Sequence, residues 1–168
     1  MNLIKPSFEI LEQAPGMEGL YKQIELAGRT CYKSENYITE NSAKEFVDRM
    51  IKLGHGAMLE HGTVYLNIHW ENSNHIQFEN IFRFYNSNKY SYCKRDILNQ
   101  DDLCPDLFIT TNLRVLVEND RMQDLQYICE PTKYHEKRIT VKFVCDRGVS
   151  HEFVRHRTMS FAQESTRY

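Results

Sequence analysis

Two segments of this chain, 64–70 and 139–145, place an apolar residue at every second position. A period of two is the spacing of side chains on one face of a β-strand, and a helix does not produce it. Each segment therefore predicts a half-buried strand with one face against a core. The apolar faces consist of Val64, Leu66, Ile68 and Trp70 in the first strand and of Ile139, Val141, Phe143 and Cys145 in the second.

Helical spacing is found before the first strand. Between residues 19 and 31 the apolar residues are spaced by four, three and four, which predicts a helix with one apolar face. A second helix is predicted to begin at Ser42, because Ser42 and Glu45 fit a capping box in which each side chain bonds the other residue's amide. Gly54 follows the apolar positions of this helix and is expected to end it.

The long middle section, 71–138, is irregular and rich in Tyr and Asn. A strand is predicted at 107–110, followed by a helix capped by Thr111 or Asn112. We interpret 71–138 as an insertion within one domain that spans 1–168. The predicted fold class is α+β, an antiparallel sheet packed with helices. A further helical pattern in this section is formed by Phe78, Ile81, Phe82 and Tyr85.

Composition and charge argue against two classes of partner, nucleic acids and membranes. The formal net charge is −2, whereas domains that bind a nucleic-acid backbone usually carry a strong basic excess. No apolar run approaches the ~18 residues of a membrane span. The five cysteines form no Cys-x-x-Cys pair, and no apolar leader opens the sequence, which is typical of reduced thiols in a cytoplasmic protein. We therefore expect neither a nucleic-acid nor a membrane partner.

A turn at 146–148 is predicted to lead from the second strand into a short helix. Ser150 is the expected N-cap of this helix, and Val149 and Val154 are placed as a hydrophobic staple. Arg155 and the residues after it are then expected at the end of the helix or in the following loop.

Polar donors are densest in the segment 155–168. Its cations can hold phosphate groups through charge-assisted hydrogen bonds, although a solvated basic stretch would have the same composition. Ser165 has no histidine near it in sequence that could serve as its base, so the segment does not predict a catalytic triad. The cations are Arg155, His156, Arg157 and Arg167. The neutral donors suited to a sugar or a base edge are Ser160, Gln163 and Ser165.

Two pairs of histidines have poor spacing for a metal site. His55 and His61 are six residues apart, and Glu60 adjoins the second, whereas the helical zinc motif needs histidines four apart with the glutamate beside the first. His151 and His156 are five apart, which is off the register of one helical face. We predict no metal site, and we interpret the cysteines as small core residues.

The order of these motifs resembles that of the flavin-dependent thymidylate synthases. The signature of that family is Arg-His-Arg, seven residues and then Ser, and here 155–157 is followed in this way by Ser165. Upstream, the family shows Gly-His, four residues and Glu-His, which is similar to 54–55 and 60–61. Further matches are Ser160, Arg167 and Tyr168.

The resemblance implies an enzyme that converts deoxyuridylate (dUMP) to thymidylate (dTMP). The one-carbon unit comes from methylenetetrahydrofolate, and FAD reduced by NADPH delivers the hydride. Such enzymes are homotetramers with shared active sites. Ser165 is expected to bind and polarise the base rather than to attack it. The implied FAD-binding residues are His55, Glu60, Arg155, His156 and Arg157. The implied dUMP-binding residues are Glu152, Gln163, Glu164, Ser165 and Arg167.

The chain departs from the family at several positions. Ala162 and Gln163 stand where the family often has Asn-Glu, and Glu152 replaces a frequent Gln. In the family, an arginine in an Asn-x-Arg sequence activates the uracil. The segment 112–114 resembles that sequence, but it lies at a different place in the chain. The family's mostly helical C-terminal region has no counterpart before Tyr168.

Three other classes stay open. The chain could be a truncated, non-catalytic flavin- or nucleotide-binding module. FAD binding without tritium release from deoxyuridylate would distinguish such a module from the enzyme. Its arginine cluster and ten tyrosines could bind single-stranded nucleic acid, with a steep salt dependence. The third class is a metal hydrolase, for which metal analysis of the purified protein would find stoichiometric zinc.

Overall fold

The computed structural model of the protein describes residues 5–69, 75–96, 105–156 and 158–166. Within these ranges, 3₁₀ helices cover Glu35–Tyr37 and Met122–Tyr127. The strands are β1 (Ser7–Leu11), β2 (Thr63–His69), β3 (Tyr92–Asp96), β4 (Asp106–Asn112) and β5 (Thr140–Val144). The helices are α1 (Gly16–Cys31), α2 (Ser42–Lys52), α3 (Gly56–Leu59), α4 (His75–Ser87), α5 (Leu113–Glu118) and α6 (Arg147–Phe153).

The strands form two antiparallel sheets. One has three strands in the order β2-β4-β3, and the other is a ribbon of β1 and β5. The predicted α+β class, with antiparallel sheet packed with helices, is therefore confirmed. All seven residues of β4 are buried, because this strand is central in its sheet and covered on both faces. Burial on both faces explains why Leu107, Phe108 and Ile109 are consecutive apolar residues rather than an alternation of apolar and polar ones.

The core lies between one face of the three-stranded sheet and the helices α1, α2 and α4. The predicted apolar face of β2 is confirmed: Val64, Leu66 and Ile68 are all fully buried, while Trp70 lies outside the described residues. Each such side chain contributes about 1.5–3 kcal/mol when it is fully buried. The residues that the helices add to this core are Leu20, Ile24, Phe46, Val47, Met50, Phe78, Ile81 and Tyr85.

The start of α2 differs from the predicted capping box. Ser42 is the first helical residue, and its oxygen accepts from the loop amide of Thr39 at 2.9 Å instead of from an amide of the helix. Its hydroxyl donates to Glu25 Oε2 at 2.9 Å. Glu25 is almost fully buried on α1, and Arg29 also donates to it. The preceding loop and α1 therefore hold the side chain that the local pattern assigned to the cap.

The predicted ends of two helices are confirmed. Gly54 has a φ of 68° and donates from its amide to Ile51 O, while His55 donates to Met50 O. These are the two hydrogen bonds of a Schellman motif, which needs a residue in the left-handed region, where glycine is favoured. At α5 the cap is Asn112 of the two candidates, because its side chain accepts from the third amide of the helix at 3.0 Å.

The ribbon of β1 and β5 departs from the prediction in its burial. β5 lies within the predicted segment 139–145, but Ile139 and Phe143 of the expected buried face are 60% and 52% exposed. β1 was not predicted, and its Phe8 packs against Phe143 while remaining 70% exposed. A two-stranded ribbon has no second layer of its own, so both of its faces remain open unless another surface covers them.

The start of α6 also differs from the prediction. The helix begins at Arg147, and its cap is Asp146, whose side chain accepts from Val149 N at 3.1 Å. Ser150 is inside the helix, and its hydroxyl donates back to Arg147 O. The predicted staple does not form, since Val149 and Val154 are both exposed. Asp is as good an N-cap as Ser, and Asp146 precedes the turn at which the chain first becomes helical.

His135 is a buried histidine that joins the segment before β5 to the three-stranded sheet. Thr132 donates from its amide to His135 Nδ1 at 3.0 Å, and Nε2 lies 3.1 Å from Leu66 O. Because the amide can only donate and the carbonyl can only accept, the ring is neutral and carries its proton on Nε2. Burial lowers the pKa of His135.

We expect acid to destabilise the fold through His135. A histidine whose pKa is lower in the folded state binds more protons when unfolded, so its contribution is present above the unfolded pKa of about 6.5 and is lost as the pH falls below it. Urea denaturation between pH 7.5 and 5 should show this fall in the unfolding free energy. His135→Gln should show a shallower pH dependence, whereas the exposed His75→Gln should follow the wild type. Equal slopes for all three proteins would contradict the assignment.

Candidate functional site

The tertiary structure joins the two motifs that the sequence analysis singled out. Ser160 Oγ donates to Glu60 Oε2 at 2.5 Å, although the two residues are 100 positions apart. Glu60 of the upstream motif therefore holds Ser160 of the C-terminal segment.

Local structure explains why Glu60 meets that segment. The Schellman motif ends α2 at Gly54, and the single turn of α3 then returns the chain toward the sheet. Gly62 O accepts from Leu113 N at 3.1 Å, which fixes the entry to β2 beside the start of α5. Gly62 is required there, since a Cβ at this position would lie 2.5 Å from Ile24 Cδ1 of α1.

The segment 158–166 is extended and docks on three neighbouring elements. Ser165 N donates to Cys31 O at the end of α1 (3.1 Å), and Lys33 Nζ lies 2.7 Å from Glu164 Oε1. Gln163 Nε2 donates to Ser150 Oγ of α6 at 2.8 Å. With the contact to Glu60, these bonds place the segment between α1, α3 and α6.

An open cavity of about 290 Å³ lies between this segment and α6. This volume is at the lower end of the range of small-molecule sites. Three of the predicted dUMP-binding residues, Gln163, Glu164 and Ser165, line it together. Glu152 does not belong to its lining; its carboxylate pairs with Arg155 Nη1 at 2.9 Å. The described residues that line it are Arg147, His151, Gln163, Glu164, Ser165 and Thr166.

Two cavity residues, Arg147 and His151, were missed as site residues. Arg147 was interpreted as part of a turn, and His151 was considered only with His156 as a metal pair. In the structure Arg147 Nε donates to His151 Nε2 at 3.3 Å across one turn of α6. Their separation of four positions, which places two side chains on one helical face, was the available signal.

The predicted FAD-binding residues are only partly brought together. His55 Nδ1 lies 3.0 Å from the Tyr32 hydroxyl, and Glu60 is held by Ser160. Arg155 and His156 follow α6 and are exposed to solvent. The guanidinium of Arg155 pairs with Glu152 rather than with Glu60 in the described part of the chain. Arg157, predicted for FAD, and Arg167, predicted for dUMP, lie outside the described residues.

Burial determines the chemistry of several titratable groups. Burial lowers the pKa of His61, whose buried Nε2 atom has no hydrogen-bond partner among the described residues. It raises the pKa of Cys93 to about 12 and that of Cys129 to about 11. A thiol that stays protonated is a poor nucleophile. These two cysteines therefore suit the predicted packing role.

The described residues lack a metal-binding cluster and a membrane-spanning helix. They contain no group of three or more His, Cys, Asp and Glu side chains that could hold a metal ion. The helices of 5–69, 75–96, 105–156 and 158–166 include none that is both long and apolar enough to cross a membrane.

The C-terminal part of the chain matches the model of one known protein family. Residues 134–168 match the family model of the thymidylate synthase complementing protein. This match supports the resemblance to that family. It covers β5, α6 and the whole signature segment, while the motif at 54–61 lies outside it. No curated protein and no solved structure matches the chain.

Proposed function

We propose that this protein is a flavin-dependent thymidylate synthase acting in the cytoplasm. It would methylate dUMP to dTMP, with methylenetetrahydrofolate as the carbon donor and with FAD reduced by NADPH as the hydride donor. The observation that carries the proposal is the hydrogen bond between Glu60 and Ser160, which joins the upstream motif to a segment that lines the cavity. The family match at 134–168 supports it independently.

The cavity has the groups that a nucleoside monophosphate needs. Arg147 and His151 can take the phosphate, since a guanidinium offers paired donors to phosphate oxygens. The Gln163 amide and the Ser165 hydroxyl can bind the sugar and the base. The Glu164 carboxylate would repel a phosphate, but Lys33 neutralises it at 2.7 Å. Arg167 is proposed to bind the phosphate as well.

We assign the flavin and its diphosphate to Glu60 and to the basic residues that follow α6. Arg155 and His156 are exposed, and the buried Nε2 of His61 has no hydrogen-bond partner among the described residues. The isoalloxazine ring supplies the hydride chemistry when FAD is bound. The protein's own residues bind and orient it, with His55 and Glu60 at the pocket and the basic residues at the phosphates. Glu152 is proposed near the substrate, where its pairing with Arg155 offsets its charge.

A homotetramer is proposed for the active form. The exposed apolar side chains of the β1–β5 ribbon support it, because large exposed apolar patches usually mark interaction surfaces. Light scattering of the purified protein would measure its mass directly, and a monomer at micromolar concentration would contradict this part of the proposal. The exposed apolar residues of the ribbon are Phe8, Ile10, Phe143 and Val144, and Ile139 directly before β5 is exposed as well.

The first test is the absorption spectrum of the desalted protein, with and without added FAD, followed by dUMP. Two flavin bands that survive desalting and shift with dUMP are expected. Tritium release from labelled deoxyuridylate, with methylenetetrahydrofolate and NADPH, then tests turnover. Bound FAD without tritium release would select the non-catalytic binding module instead. Absence of flavin binding in excess FAD would contradict the proposal.

Ser165→Ala is expected to retain turnover if Ser165 only binds and polarises the base. Loss of one neutral hydrogen bond of about 0.5–1.5 kcal/mol lowers kcat/KM by about tenfold at most. Removal of a true nucleophile costs on the order of 10⁶-fold in kcat. Tritium release by the variant distinguishes the two roles, and Thr166→Ser provides a neighbouring control on the same cavity wall. Complete loss of turnover with intact dUMP binding would contradict the prediction.

A further inference from the structure

Arg114 on α5 links two acidic residues from different parts of the chain. Its Nη1 donates to Glu60 Oε1 at 2.5 Å, and its Nε donates to Glu118 Oε1 at 2.6 Å. Glu118 is one helical turn away on α5, whereas Glu60 precedes β2. The planar fork of a guanidinium can bind two acceptors at once in fixed directions, which a lysine cannot do.

Glu60 is the shared residue of two contacts. One carboxylate oxygen accepts from Arg114 and the other accepts from Ser160. A carboxylate held on both oxygens has little freedom to rotate, and hydrogen bonds to an ionised group are the stronger ones. The path from Arg114 through Glu60 to Ser160 therefore connects α5 to the signature segment.

The packing around α3 leaves room for this path. A Cβ at Gly56 would lie 2.9 Å from Arg114 Nε and 3.2 Å from Glu118 Oε1. The guanidinium thus passes close over the first turn of α3, directly before the residues that lead to Glu60. A side chain at position 56 would displace the guanidinium.

We propose that Arg114 is a positioning residue of the cofactor site, which holds Glu60 so that Ser160 and the signature segment dock in one place. This inference rests on the proposed function for the identity of the cofactor. It assigns a role to α5, which lies in the section 71–138 that the sequence analysis interpreted as an insertion. Without the guanidinium, Glu60 and Glu118 would be two unpaired carboxylates, and Glu60 would no longer be held for Ser160.

Arg114→Met tests the positioning role of Arg114, because methionine keeps part of the apolar side chain and removes the guanidinium. Arg95→Met is the matched control. Arg95 also pairs with a glutamate, Glu79 at 2.8 Å, and the exposed fractions of the two side chains, 35% and 25%, are close to the 38% and 26% of Arg114 and Glu60. Arg114→Lys restores the charge with a single ammonium and serves as the rescue variant.

Two readouts on the full chain separate this inference from the proposed function. The first is the dissociation constant of FAD, measured by titration of its visible absorption. We expect Arg114→Met to weaken binding by about tenfold or more, which is the effect of losing a hydrogen bond to a charged group. Arg114→Lys should recover part of this loss, and Arg95→Met should match the wild type. The position of the bound flavin's visible bands should shift in Arg114→Met but not in Arg95→Met.

The second readout needs no flavin. Hydrogen exchange of a peptide covering 158–166, followed by mass spectrometry, should be faster in Arg114→Met than in the wild type and in Arg95→Met. If the wild type binds no FAD, the proposed function fails, while the exchange comparison still tests the connection from Arg114 to the segment. If FAD binds equally well to the wild type and to Arg114→Met, the positioning role is overturned, whatever the exchange rates. Unchanged exchange would overturn the path through Glu60 and Ser160.

Discussion

Asp124→Ala is expected to lower the free energy of unfolding by about 3–5 kcal/mol, the effect of removing one partner of a buried ion pair. Asp124 is only 3% exposed, and two groups depend on its carboxylate. The Tyr85 hydroxyl donates to Oδ2 at 2.8 Å, and Arg121 Nε lies 2.9 Å from the same oxygen. The alanine variant would leave both groups unpaired in the core.

The surroundings of Arg121 make its loss of a partner costly. Its side chain is 19% exposed, and its guanidinium packs over the rings of Phe84 and Tyr85 at 4.5 and 5.4 Å from their centroids. Burial, and next the charge of Asp124, raise the pKa of Tyr85 above its usual range, so its hydroxyl stays a donor. The cation would have to remain among aromatic rings without its counter-charge, or move and open a cavity.

Tyr85→Phe is the matched control for this prediction. It removes the hydroxyl alone and leaves the pair of Asp124 and Arg121 in place, so we expect a loss of only about 1 kcal/mol. Urea denaturation monitored by circular dichroism measures both variants under the same conditions. An Asp124→Ala variant no less stable than Tyr85→Phe would show that the ion pair contributes no more than one neutral hydrogen bond.

Arg147→Gln is expected to weaken dUMP binding by about 10- to 100-fold. Hydrogen bonds to charged groups are worth about 1.5–3 kcal/mol, and a factor of ten in affinity corresponds to about 1.4 kcal/mol. Arg147 lines the proposed nucleotide cavity and is the only arginine among its lining residues in the described part of the chain. Calorimetric titration with dUMP at constant ionic strength measures the change.

Two controls isolate the phosphate contact. Deoxyuridine lacks the phosphate, so its affinity should be the same for the wild type and for Arg147→Gln. Arg83→Gln makes the same change of charge at an exposed position on α4, and it should bind dUMP as the wild type does. Equal losses for nucleotide and nucleoside would place Arg147 elsewhere than at the phosphate. An equal loss of dUMP affinity in Arg83→Gln would show that the effect depends on the overall charge of the protein and not on the position of Arg147.

Most regular elements could be predicted from the sequence, because their burial repeats with the period of a helix or a strand. The faces of α1, α2, α4 and β2 are examples, and most of their apolar residues are buried, while Ala27, Cys31, Ile51 and Phe82 are only partly buried. The Schellman motif at Gly54 was also predictable, since a residue in the left-handed region is a local requirement. Local chemistry predicts well where no distant group competes.

Several wrong predictions depend on partners that are distant in the chain. Ser42 is held by Glu25, seventeen positions earlier, and by the Thr39 amide of the preceding loop. β1 is a strand only because it pairs with β5, which starts at Thr140, and a five-residue segment has too little pattern to show this. The alternation in 139–145 correctly indicated a strand, but it could not show whether anything covers the apolar face. The N-cap of α6 is different, because Asp146 and Ser150 are both local candidates and the structure uses the earlier one.

The sequence by itself determined the residue types of the candidate site and their order along the chain. The signature at 155–165, the motif at 54–61 and the family match at 134–168 all depend on sequence alone. Only the tertiary structure decided which of these residues meet. The contact of Glu60 with Ser160 closes a loop of 100 residues, and the contacts of Arg114 add a third element that no motif contains. Such contacts depend on how helices and sheet pack, and packing is a property of the whole core.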